Sequence, residues 1–158
     1  MTVVLGLGNP LLSDDAVGLR VAAALQRLLQ ESPVDGVRVL TSTRAGFELI
    51  DLLAGATHAI IVDCLAVPCP VPGAVRRLTL QDFAGSARLI GAHDISVAVA
   101  FDLAAALGIR MPETVEIFGV EGVDTQTVSE QLTPEVEAAV ASLASELHAH
   151  LKQRTPSQ

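Results

Sequence analysis

Apolar and polar positions along the chain follow two rhythms. Short, nearly continuous apolar runs bounded by Gly, Pro or polar clusters read as strands. Between them, apolar residues recur every three or four positions, as on one face of a helix. TVVLGLG, at the N-terminus, is a first strand, apolar on both faces and so suited to a sheet covered by helices. Val17, Val21, Leu25 and Leu28 then mark a helix, with Asp14 or Asp15 as its cap and Pro33 and Gly36 closing it. VRVLT at 37–41 predicts a second strand, FELIDLL a short helix, and Gly55 a left-handed residue just past that helix. HAIIVDCL at 58–65 is the clearest buried strand.

The connection that follows, AVPCPVPG, is too short and too rich in proline to carry a crossover helix. The next strand, AVRRLTL at 74–80, is therefore expected to run antiparallel to its neighbour. DISVAVAFDLAAAL predicts a helix ending before Gly108, and TVEIFGV at 114–120 a last strand. Thr133 and Pro134 stand where a cap and a first helical residue belong, so the final helix starts there. Strands alternating with helices give an α/β/α sandwich. A single domain over 1–154, with a frayed tail at 155–158, accounts for the whole pattern.

Composition narrows the function classes. Of 158 residues, half are apolar, with no Trp or Tyr, so the core is aliphatic. A formal charge of −8 argues against nucleic-acid and anionic membrane partners, which want a basic face. The most apolar later run, ISVAVAFDLAAALGI, is broken by Asp102 and is too short to span a bilayer. No secretory signal is visible, and two cysteines make no disulfide framework, so a cytoplasmic protein is expected.

The candidate chemistry sits where the strands end. GLGNPLLSDDAVGLR lacks the third glycine of a dinucleotide fingerprint, and its two acids would repel a phosphate. A nucleotide-using α/β enzyme is thus the weakest reading, and the glycines serve a sharp turn. Asp15 follows the first strand, Asp63 lies near the end of HAIIVDCL, and His93 opens a helix in GAHD. If the strands run the same way, these three converge on one rim, where α/β sheets gather ligands. Two carboxylates and an imidazole suit a borderline divalent ion such as Ni²⁺ or Zn²⁺. The alternatives are ordinary: Asp14 a helix cap, Asp15 another, Asp63 a hydrogen-bonded strand acid, His93 a helix entrance. Cys64 should point to the face opposite Asp63 and behave as a small buried apolar group. Cys69 is a loop residue between prolines, His58 a surface or capping residue. His148 and His150, two apart on a helix, share no face and no metal.

Taken together, GLGNPLLSDDAVG, IIVDCL, GAHDIS and GVEGVDTQTVSEQLTPEVEAAV resemble the hydrogenase maturation endopeptidases over most of the chain. That family trims a C-terminal extension from the large-subunit precursor of nickel–iron hydrogenases. The resemblance implies a phosphorylase/hydrolase-like, five-stranded mixed sheet of order 2-1-3-5-4 with strand 4 antiparallel. It maps Asp15, Asp63 and His93 onto the family's metal-binding and catalytic residues. It also implies that no cofactor is resident: nickel arrives in the substrate, and zinc or another divalent ion can occupy the same ligands. The partner is the hydrogenase precursor, with this chain expected to act as a monomer. One stretch departs from the family. Where an acid and two glycines often follow the second strand, this chain has TSTRAG, with Thr41 in the acid's place and Arg44 beyond it. Thr41, Arg44 and Gly46 are the candidate substrate-binding positions in this stretch, Arg44 reading otherwise as a solvated loop residue. Hydrolysis could use a metal-polarised water, or a water activated by Asp15 or Asp63 as in aspartic-type proteases. A non-cleaving, nickel-dependent assembly chaperone is the alternative that the change at Thr41 keeps open.

Overall fold

Among the described residues, five strands and four principal helices form in the expected sequence. The computed structural model describes residues 1–43, 48–80 and 95–154, with side chains from 99 onward in the third segment. The strands are β1 (Thr2–Leu7), β2 (Val37–Ser42), β3 (His58–Leu65), β4 (Val75–Thr79) and β5 (Thr114–Glu121). The helices are α1 (Val17–Glu31), α2 (Glu48–Leu53), α3 (Ile95–Ala106) and α4 (Pro134–Arg154). A single 3-10 turn, Ser13–Ala16, precedes α1. Residues 155–158 lie outside the described residues.

The sheet order is β2-β1-β3-β5-β4. β1 pairs parallel with β2 and β3, and β3 with β5, whereas β4 runs antiparallel to β5. The proline-rich link therefore has the consequence its length demands: without room for a crossover, the chain reverses. Every residue of β3 is buried, as an apolar strand at the centre of a sheet covered on both sides should be.

Alternation along β3 divides the core into two layers. Ala59 and Ile61 join Val3, Leu5, Leu49, Leu53, Ala100 and Ala104 on the face covered by α2 and α3. Ile60, Val62 and Cys64 join Val17, Val21, Leu25, Leu143 and Leu147 on the face covered by α1 and α4. Each fully buried aliphatic side chain contributes about 1.5–3 kcal/mol relative to exposure. The layers meet the requirement that an aliphatic core compensate for the missing large aromatics. Gly55 and Gly108 have φ of +75° and +69°, the left-handed geometry expected after α2 and α3. Among the described residues, no helix is long and apolar enough to cross a membrane.

Candidate active site

The opening glycines set how tightly the first acid is held. A Cβ on Gly6 would strike the Gly18 carbonyl oxygen and the Ala22 side chain; one on Gly18 would strike the carbonyl oxygens of Leu7 and Val62. α1 therefore lies directly on the ends of β1 and β3. Gly8, with φ of +149°, packs against the backbone carbonyl of Asp15. The glycines bring two backbones together rather than cradle a phosphate. Asn9 N donates to Asp15 Oδ2 at 2.9 Å, which fixes the carboxylate just past β1.

Asp63 lies on β3, the strand next to β1, one position beyond the Gly6–Val62 pair. It is only 2 % exposed, and Cys64 N donates to its Oδ1 at 2.8 Å. Cys64 points the other way, into the α1/α4 layer, as strand alternation requires. Burial pushes its thiol strongly up, and the negative charges of Asp63, Asp15 and Asp14 add to the effect. Cys64 is thus held protonated, a poor nucleophile. Three carboxylates thus lie within electrostatic reach of this one point at the strand ends.

Of the sequence-based candidates, Asp15 and Asp63 are brought to the carboxyl ends of adjacent parallel strands. His93 lies outside the described residues, as do Arg44 and Gly46. Among the described residues, no three His, Cys, Asp or Glu side chains form a set able to hold a metal ion. Thr41 lies near the end of β2, beside Gly6 of β1 and exposed. Its neighbour Ser42 is buried and donates to Glu48 Oε2 at 2.8 Å, which ties β2 to α2.

Two expectations are corrected. Neither Asp14 nor Asp15 caps α1; the 3-10 turn intervenes, and the helix starts without a side-chain cap. Asp14, 0 % exposed, instead accepts from the amides of Val123, Asp124 and Thr133, and from the Thr133 hydroxyl. It joins the loop after β1 to the loop after β5, which Leu12 and Ser129 also bridge. Its partners lie 109 to 119 residues away, so nothing in the local sequence signals the role. His58 is not a surface residue: it is 3 % exposed, at the opposite end of β3. Its Nδ1 hydrogen-bonds Thr114 Oγ1. Its Nε2 lies 3.1 Å from Glu116 Oε1 but is not aligned for a hydrogen bond, so that contact is electrostatic. His150, Arg77 and Arg154 converge on the same Glu116 carboxylate.

Comparison with known proteins places the chain among relatives. The family model for hydrogenase maturation proteases matches residues 19–150. The chain is 32 % identical over 152 residues to the hydrogenase 2 maturation protease of Escherichia coli K12, with 89 % of each chain covered. It is 29 % identical over 153 residues to the hydrogenase expression/formation protein HupD of Thiocapsa roseopersicina, covering 90 % of this chain and 67 % of that protein. Among solved structures, the hydrogenase maturating endopeptidase HybD from E. coli superposes with a TM-score of 0.80 at 28 % identity, covering 97 % of this chain and 93 % of the other.

Proposed function

The chain belongs to the hydrogenase maturation protease family, and from that premise we propose that it is the endopeptidase that removes the C-terminal extension of a nickel–iron hydrogenase large-subunit precursor after nickel insertion. The nickel is part of the substrate. Asp15, Asp63 and His93 meet its open coordination positions, two carboxylates and an imidazole being suited to a dication. A precursor without nickel offers anionic cysteines to an acidic rim and is repelled. The observation that carries this reading is the buried Asp63 carboxylate near the end of β3, which shares electrostatic reach of Cys64 with Asp15, on the turn after β1.

The bond is cut by water. Its oxygen attacks the scissile carbonyl carbon, the C–N bond breaks, and the amine leaves with a proton. A carboxylate of the Asp15–Asp63 pair takes the proton that the attacking water loses, in the manner of an aspartic-type peptidase. Cys64 is excluded as nucleophile by its buried, protonated thiol. The hydroxyls of Ser13 and Ser42 are already donated, to Gln131 O and to Glu48. His58, His148 and His150 lie elsewhere, against Thr114, Ser32 O and Glu116, so no described histidine activates a serine at the rim.

Asp63→Asn or His93→Ala should abolish shortening of nickel-loaded precursor, read by intact mass, with circular dichroism and melting temperature retained. Normal shortening by either variant contradicts the assignment. One observation favours a second reading. Thr41 occupies the place of the family's acid, so the chain could bind the loaded precursor as a chaperone; complex formation without any mass loss selects that reading.

A further inference from the structure

Next to Asp63, the sheet carries a feature that the cleavage chemistry does not use. Strand pairing sets Gly119 of β5 beside Asp63, and Arg76 of β4 beside Gly119, all on one face. Gly119 has no side chain, and Leu65 leans into the space: a Cβ on Gly119 would collide with the Leu65 side chain. The row from Asp63 to Arg76 spans two strand spacings, about 10 Å. At its far side opens a cavity of about 280 Å³, lined by Leu65, Val67, Pro68, Cys69, Arg76 and Leu78.

Among the described residues, this lining carries no charge apart from Arg76, and Arg76 is paired with a carboxylate. Its Nε donates to Glu121, a side chain only 1 % exposed that also accepts from Val71 N at 2.6 Å. The Val71 amide first, and then Arg76, hold the Glu121 carboxyl below its ordinary range against the opposing effect of burial. Arg76 and Glu121 offset each other's charge, so a charged group entering the cavity would lose hydration for little gain from a counterion. An uncharged, apolar occupant loses little and gains burial. The volume falls just short of the roughly 300–1,000 Å³ of small-molecule sites. It is room for a side chain rather than for a folded element.

We propose that this cavity is a specificity subsite, receiving an apolar side chain of the hydrogenase precursor within about three residues of the cleaved bond. The distance follows from an extended peptide advancing about 3.3 Å per residue: with the bond near Asp63, a side chain three residues along reaches the Arg76 end. This inference rests on the processing reading above. The cavity wall also offers a chemical handle. Cys69, with φ of +53°, lines the cavity and is exposed, whereas Cys64 is buried.

The test uses the nickel-loaded precursor, with the cut bond first mapped by mass spectrometry. Wild-type protein, protein alkylated at Cys69 with N-ethylmaleimide, and a Val67→Trp variant are compared, each against precursors with single apolar-to-Asp substitutions flanking the bond. Filling the cavity should lower kcat/KM by about tenfold or more, the scale of one misfitted apolar contact. One flanking apolar-to-Asp substitution should do the same to the wild-type protein. Alkylation acts on the folded chain, so it holds even if Val67→Trp does not fold. Unchanged kcat/KM after alkylation, or tolerance of every flanking Asp, overturns the subsite while leaving the peptidase intact. A dimer that alkylation dissociates would give the cavity to a second copy and overturn it as well. Failure of unmodified protein to shorten any loaded precursor sinks the processing reading, and the subsite with it.

Discussion

Single residues at the rim divide into those proposed to act on substrate and those that hold the rim together. Asp14 and Asp15 are neighbours in sequence with opposite tasks. Asp15 is held just past β1 by the Asn9 amide, while Asp14 is fully enclosed by donors from the loop after β5. Asp14→Ala would leave the part-buried amides of Val123, Asp124 and Thr133 without their acceptor. It should cost on the order of 3 kcal/mol, well beyond the ~1 kcal/mol of an ordinary lost cap. Asp14→Asn, which keeps one acceptor oxygen, should lose less. Urea unfolding of the two variants checks the order, and a loss no greater than a cap's from Asp14→Ala would contradict the clamp. Asp63 was legible as a candidate because a carboxylate inside a buried strand is costly unless paired or bound, and Asp15 because it lies just beyond the first strand. Asp14 was not, because its partners come from the far end of the chain.

At the scale of elements, strand β3 and helix α1 could be read with little ambiguity. HAIIVDCL has no polar alternation to confuse its burial, and its bounds match the structure to the residue. Val17, Val21 and Leu25 are all buried on α1, as their spacing requires. The antiparallel β4 followed from a short link alone. What spacing could not show is how closely α1 approaches the sheet, because that depends on Gly6 and Gly18 meeting across elements. Gly18→Ala places a methyl against the carbonyl oxygens of Leu7 and Val62, backbone atoms that cannot rotate away. It should destabilise by about 1–3 kcal/mol, as overpacking does, seen as a lower urea midpoint at constant slope. It should also reduce processing, since the shift begins three residues from Asp15. An unaltered midpoint would show that the helix stands farther off than these contacts indicate.

Across the whole molecule, the sheet separates two polar centres: the acidic rim at one end and the Glu116 cluster at the other. His58 at that second end has its pKa lowered from 6.5, chiefly by burial and next by Arg154, with Glu116 opposing. Burial also works against the Glu116 carboxylate, but hydrogen bonds from His150 and Arg77 hold its pKa below 4.5. Both shifts have the same sign for stability. Above pH 6.5, His58 is neutral in folded and unfolded chains alike; below it the unfolded chain takes up the proton first, so stability falls. Glu116 adds to the loss below pH 4.5. A His58→Gln variant should flatten the stability profile just below pH 6.5 and leave the decline below pH 4.5 in place. Equal slopes in the variant and the wild type would contradict this account of the cluster. His58 escaped the sequence reading because a strand's first residue is usually exposed; here the α4 end, through His150 and Arg154, closes over it.

The acidic end carries the central claim, that nickel in the substrate licenses cleavage by meeting Asp15, Asp63 and His93. Its most direct measurement is the intact mass of one large-subunit precursor, prepared with and without nickel, after incubation with the protein. Shortening by the mass of the C-terminal extension in the nickel-loaded sample alone is expected. Equal shortening of the nickel-free sample would contradict the claim.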